Sequence, residues 1–323
     1  MKAKYLGLDI QSPIIVSSSP YTASADNIVR CAASGAGAVV LKSIFEEQIV
    51  HQADSMAKAY ESPFGDTDEY LRRYLGDDYK AQFLNLIGDA KSRCDIPVIA
   101  SINCIGTEGE WVEYASSMAA AGADALELNV FILAANRHAT AAELEASYAN
   151  IVKRVTAAVK IPVSVKLTMR LTNVVATADA LAAAGAKGIV LFNRFFEPDI
   201  DIERMAFIES SPYSRSEEIR NVLRTTAICS AALPKLDIAV STGVHTGEDA
   251  VKAILCGADA VQICTAIHLG GYEVIGKMNE TIDKWAIRHG FNSIDEWRGK
   301  LDMHNWDSPL AERVQYMKFF PHE

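Results

Sequence analysis

The chain has 323 residues, 50% of them hydrophobic and 22% charged, an ordinary composition for a soluble globular protein. Its formal net charge of -10 argues against a nucleic-acid partner gripped through phosphates. No run reaches the roughly 20 apolar residues of a membrane span, no leader precedes the first strand, and the six cysteines form no C-x-x-C pair; a cytoplasmic, reducing location without a metal site is expected.

The first strand-like run is Pro13-Ile14-Ile15-Val16-Ser17; proline at its entry is tolerated because the ladder has barely begun. A helix-like stretch then ends at Gly35-Ala36, and the run Ala38–Leu41 forms the second strand, closing on Lys42-Ser43. Ile44 to Tyr79 is polar, rich in Asp, Glu and Tyr, and too long for a simple loop, so an insertion covering the mouth of the fold is expected at about 44–79. The third strand is Pro97–Ser101, leading into Ile102-Asn103-Cys104, and the fourth ends at Asn129. The fifth, Pro162–Lys166, follows a helical pattern over Thr140 to Val159; the sixth ends at Asn193-Arg194. The seventh, Asp237–Ser241, runs into Thr242-Gly243, and the eighth ends at Cys264-Thr265. From about Gly290 a C-terminal extension carries Trp297 and Trp306.

Four of these strands share one entry: an alanine-rich helix stops at Gly, then Ala, a spacer and an apolar run. The copies begin at Gly35, Gly122, Gly185 and Gly257. Glycine stops a helix because it enters the left-handed conformation without a Cβ penalty. The near-continuous apolar runs suit parallel strands covered on both faces. Eight strand-helix units, with no G-x-G-x-x-G after any strand, predict an α/β fold: one (β/α)8 TIM barrel domain over 1–323.

In such a barrel the site lies at the strand C-termini. Here those ends carry hydroxyls, amides and the lysines Lys42 and Lys166, with no His, Asp or Glu cluster suited to a metal. The set suits a neutral or anionic heteroaromatic ligand. Lys166 has no acid adjacent in sequence, so a bound anion is its expected partner. Thr242, Gly243, Cys264 and Thr265, after strands seven and eight, stand where barrels commonly bind phosphate. Arg194 is suited either to clamping a carboxylate or to pairing with Glu197 or Asp199. Cys104 reads as a buried structural thiol, and Arg137-His138 as a solvated helix start.

The blocks Leu6-Gly7-Leu8-Asp9-Ile10-Gln11-Ser12-Pro13, Lys42-Ser43, Glu127-Leu128-Asn129, Val165-Lys166-Leu167, Gly243-Val244-His245-Thr246-Gly247 and Gln262-Ile263-Cys264-Thr265-Ala266 resemble, in order, those of class 1 dihydroorotate dehydrogenases. The resemblance spans roughly residues 4 to 270 and implies FMN, oxidoreductase activity on a CH–CH unit in pyrimidine biosynthesis, and a homodimer. It implies that Ser17 and Ser18 lie along the flavin with Ser43 and Asn103 close by. Lys166 would face its N1/O2 side, and Thr242, Gly243, Cys264 and Thr265 would hold the phosphate. Lys42, Asn129, Asn193 and Arg194 would meet the flavin or a pyrimidine-like substrate, with Lys42 and Lys166 serving the chemistry.

Three stretches depart from the family pattern. The family's loop after the fourth strand, Asn-Leu-Ser-Cys-Pro-Asn, is here Asn129-Val130-Phe131-Ile132-Leu133-Ala134, which places Ile132 where the Cys or Ser base belongs. The loop after the second strand reads Ser55-Met56-Ala57-Lys58-Ala59-Tyr60-Glu61, and Asn193 is followed by Arg194. The flavin half of the pattern persists while the substrate half is rewritten. Beside dihydroorotate oxidation stand three alternatives: another pyrimidine-like or unsaturated substrate, a catalytically silent FMN- or metabolite-binding barrel, and a non-redox lyase or isomerase barrel.

Overall fold

A computed structural model describes residues 1–45, 66–104, 108–194 and 198–305. Most of the expected insertion, Trp306 and Phe195-Phe196-Glu197 therefore lie outside the described residues, as does Ser55–Glu61. The described end of the 44–79 stretch belongs to a long helix, Asp66–Arg93.

Eight parallel strands form the barrel: β1 (Ile14–Val16), β2 (Ala38–Val40), β3 (Val98–Asn103), β4 (Ala125–Leu128), β5 (Val163–Thr168), β6 (Gly188–Asn193), β7 (Asp237–Ser241) and β8 (Ala260–Ile263). Each strand bonds its sequence neighbours, β8 bonds β1, and β2 pairs with β3 through Val39↔Val98 and Val40↔Ile99, so the ring has no free edge. Helices ring it, among them Ala25–Ala33, Glu108–Ala120, Ala141–Ala158, Val174–Ala183, Ile219–Ala232 and Gly247–Leu255. An antiparallel hairpin, Ala3–Tyr5 with Leu8–Ile10, precedes β1.

The Gly-Ala repeat has a direct cause. Gly35, Gly122, Gly185 and Gly257 all sit at positive φ. In each copy the following alanine N–H reaches back to a carbonyl five residues earlier: Ala36 to Cys31, Ala123 to Met118, Ala186 to Leu181 and Ala258 to Ala253. This is the Schellman closure of a helix. The alanines are buried because the chain must pass tightly from helix to strand. In two copies the spacer Asp also closes the barrel floor, Asp124 accepting from Val98 N and Asp259 from Ile238 N, both at 2.8 Å.

The apolar core has two parts. The larger lies between strands and helices and holds Trp111 and Trp297, the latter packing the C-terminal extension onto the barrel side. The smaller fills the barrel's lower interior, where Tyr5, Leu6 and Ile10 of the hairpin meet Ile15, Val40, Ile99, Ala125, Val190, Ala239 and Ala260.

Candidate active site

Residues two apart on a strand share a face. One step above the apolar floor stand Ser17, Ser101, Glu127, Lys166, Ser241 and Gln262, which are polar and buried. The floor excludes water from below and the polar layer faces the mouth.

Lys166 is the centre of this layer. It is only 7% exposed, and its Nζ donates to Ser17 Oγ and Gln262 Oε1, both at 3.1 Å. Ser17 Oγ donates in turn to Gln262 Oε1 at 3.3 Å, and Gln262 Nε2 donates to Glu127 Oε2 at 2.5 Å. The expectation that Lys166 lacks a nearby acid is corrected here: Glu127 Oε1 lies 3.5 Å from Nζ. Adjacency in the chain was the wrong test, because barrel neighbours come from the next strand, and Glu127 sits opposite Ser164 on β5. The carboxylate offsets the ammonium in a place where an isolated charge is costly. Glu127 Oε1 itself has no hydrogen-bond partner.

A small cavity of about 160 Å3 opens above. Its wall includes Ser17, Ser18, Lys166, Asn193, Arg194, Ser241, Thr242, Gly243, Cys264 and Thr265. Ser18 connects through hydroxyls to Ser43 at 3.0 Å, and Ser43 to Ser101 at 2.7 Å. Asn193 Nδ2 donates to Asn129 Oδ1 at 2.9 Å, which joins the ends of β4 and β6. Burial pushes the Cys264 thiol up, against the pull of a Ser19 hydrogen bond and of Lys166, so it stays neutral.

Strands seven and eight end as expected, with one difference. Thr242 and Gly243 both have φ of 78°. Gly243 has a packing role: a Cβ there would stand 2.3 Å from Ile219 N, at the start of helix Ile219–Ala232. Ser214 also belongs to this corner and sequence reasoning missed it. Its N and Oγ both reach Thr265 Oγ1 at 3.1 Å, and its Oγ lies 2.9 Å from His245 Nε2. Tyr213 beside it stacks on His268 with ring centres 3.6 Å apart. The Ser-containing stretch between the sixth strand and the next helix carried the only signal.

Other expected residues stand elsewhere. Lys42 lines a second cavity with Ser24, Tyr79, Gln82 and Asp89. Asn103, half-buried, ends β3 opposite Phe45. Arg194 does not pair with Asp199, and Glu197 lies outside the described residues; Arg194 grips Glu218 through Nε at 3.0 Å and Nη2 at 3.3 Å. Glu218 opens the helix that the Gly243 turn approaches, so the pair clamps loop to helix. Ile132 is half-buried and packs against the core, and a hydrogen bond links its backbone to the buried Tyr148 hydroxyl. Cys104 is buried in the core and Arg137 and His138 are exposed. Among the described residues no His/Cys/Asp/Glu group is arranged to hold a metal.

The sequence matches the dihydroorotate dehydrogenase family over residues 1–285. It is 31% identical over 303 residues to the catalytic subunit of dihydroorotate dehydrogenase B (NAD(+)) from Methanosarcina mazei, covering 91% of this chain and 92% of that protein. The similarly named subunit from Methanocaldococcus jannaschii is 27% identical over 295 residues, covering 87% and 92%. A protein named putative dihydroorotate dehydrogenase A (fumarate), from Aeropyrum pernix, is 32% identical over 224 residues, covering 65% and 69%.

Proposed function

The chain belongs to the dihydroorotate dehydrogenase family, and from that premise we propose that it binds FMN at the barrel mouth and oxidises or reduces a CH–CH unit of a small planar substrate. The observation that carries this is the buried ammonium of Lys166 beneath the cavity, with two of its three N–H bonds used by Ser17 and Gln262. The residues fit the group. Hydroxyls and amides line the wall, and the backbone after β7 turns through two left-handed residues beside Thr265, where a phosphate would rest.

FMN, when bound, takes up two electrons and a proton. The chain supplies the rest. Lys166 offers a fixed cation where negative charge develops, at no cost of reorganisation. Ser17 and Gln262 hold that ammonium in place. The apolar floor keeps water out from below. Thr242, Gly243, Cys264, Thr265 and Ser214 form the phosphate corner, and Asn129 with Asn193 present amides toward a substrate ring.

Dihydroorotate is the family's substrate, and its oxidation requires loss of a ring proton. Ile132 occupies the base position and accepts none. General-base help is worth roughly 10²–10⁴ in rate, so anaerobic mixing with dihydroorotate should bleach the flavin slowly. Ile132→Cys should speed bleaching by about that factor if the cysteine reaches the ring. Fast bleaching by the wild type would contradict the assignment of Ile132. A different pyrimidine-like or unsaturated substrate is favoured by the same residue together with Ala134 and by the engagement of Arg194 with Glu218. A substrate screen in which another compound bleaches the flavin faster decides for it.

A cytoplasmic homodimer completes the proposal. None of the six cysteines forms a disulfide, and no helix among the described residues is long and apolar enough to cross a membrane. The hairpin Asp199–Asp201 with Ala206–Ile208 exposes Ile200, Ile202, Met205 and Phe207, Met205 to 89%. Apolar clusters of this kind mark association surfaces. A sedimentation mass of two chains supports the dimer and a mass of one removes it.

A further inference from the structure

We propose that Glu127 is a positioning residue that lowers the flavin potential: its carboxylate competes with the reduced cofactor for the Lys166 ammonium. The inference rests on the FMN assignment above.

Glu127 is 1% exposed and enters the barrel interior from β4, in the same layer as Lys166 from β5. Gln262 bridges them and has one consistent orientation. Its Nε2 donates to Glu127 Oε2, so its Oε1 faces and accepts from Lys166 and Ser17. The second carboxylate oxygen has no hydrogen bond and stands 3.5 Å from Nζ. A buried acceptor left without a donor is costly, and the nearby cation is what compensates it. The ammonium therefore faces two claims, the carboxylate beside it and the ligand above it.

The charges decide the consequence. Two electrons and one proton convert the neutral oxidised ring into a singly negative reduced ring. With Glu127 ionised, the Lys166–Glu127 pair is neutral before reduction and the site carries one net negative charge after it. Without the carboxylate, the same step takes the site from one net positive charge to neutrality. Glu127 thus disfavours reduction while Lys166 favours it, and the reduced cofactor is a stronger donor to whatever oxidises it next. A carboxylate placed only for packing would leave the potential unmoved.

The test is potentiometric titration of the FMN-loaded protein with dithionite and an indicator dye. In Glu127→Gln the reduced flavin should be favoured about 10- to 100-fold more than in the wild type. That is an upward shift of about 30–60 mV, at 29.6 mV per tenfold for a two-electron couple. Glu127→Asp, which keeps the charge and withdraws it, should shift the same way by less, and serves if Glu127→Gln does not fold. An unchanged or lowered potential in the variant that folds overturns the proposal. A wild-type protein that takes up no FMN would instead remove the cofactor assignment beneath it.

Discussion

On one side of the barrel mouth, at the ends of β1, β5, β7 and β8, the side chains Ser17, Lys166 and Gln262 bond one another, and Ser214 reaches Thr265 from the facing loop. On the other, the loop after β4 presents Phe131, Ile132 and Leu133, with Leu133 73% exposed. The first side is a preorganised polar surface, and the second shows apolar side chains at Phe131, Ile132 and Leu133. This contrast is what the proposal of a flavin wall beside a rewritten substrate loop rests on.

Substitutions should separate the two sides by magnitude. Lys166→Met leaves the Glu127 carboxylate buried and unpaired, which costs about 3–5 kcal/mol, and should abolish FMN uptake; urea unfolding and flavin fluorescence read the two effects. Gly243→Ala forces a side chain toward Ile219 N, 2.3 Å from its Cβ, at a left-handed position. Strain of about 1–3 kcal/mol is expected, with weakened FMN binding in a titration.

The barrel floor gives a smaller, pH-dependent effect. Burial pushes Asp259 up to about 7, against the pull of Arg298 at 3.2 Å, with Asp237 and Asp295 adding repulsion. The folded state therefore holds a proton that the unfolded chain releases at its ordinary value of 3.8. This stabilisation is complete below that value and is lost as pH rises to about 7. The melting temperature should fall by a few degrees between pH 5 and 7.5, and Asp259→Asn should flatten the profile. On the substrate side, Leu133→Ser should stay within about 0.5 kcal/mol of wild type. A loss comparable to that of Lys166→Met would erase the contrast between the two walls.

The barrel was legible because one local device recurs. Gly-Ala after a helix is the chemical requirement of a Schellman closure followed by a tight turn, and four copies phase the strands. The polar strand ends followed from period two. What stayed hidden depended on partners from distant sequence. Glu127 is two residues after Ala125 on the inward face, yet only the pairing of β4 with β5 brings it to Lys166. Arg194 bonds Glu218, which lies 24 residues away in the chain. Lys42, just past the end of β2, lines a cavity together with Tyr79, Gln82 and Asp89 of helix Asp66–Arg93. Ser214 lies in an irregular stretch whose position no periodicity fixes.

The central claim is that the ends of these strands hold a flavin over Lys166. Titration of the purified protein with FMN, followed by quenching of flavin fluorescence, tests it most directly. One FMN bound per chain, with binding lost in Lys166→Met, is the predicted result; a wild-type protein that leaves the fluorescence of added FMN unchanged contradicts it.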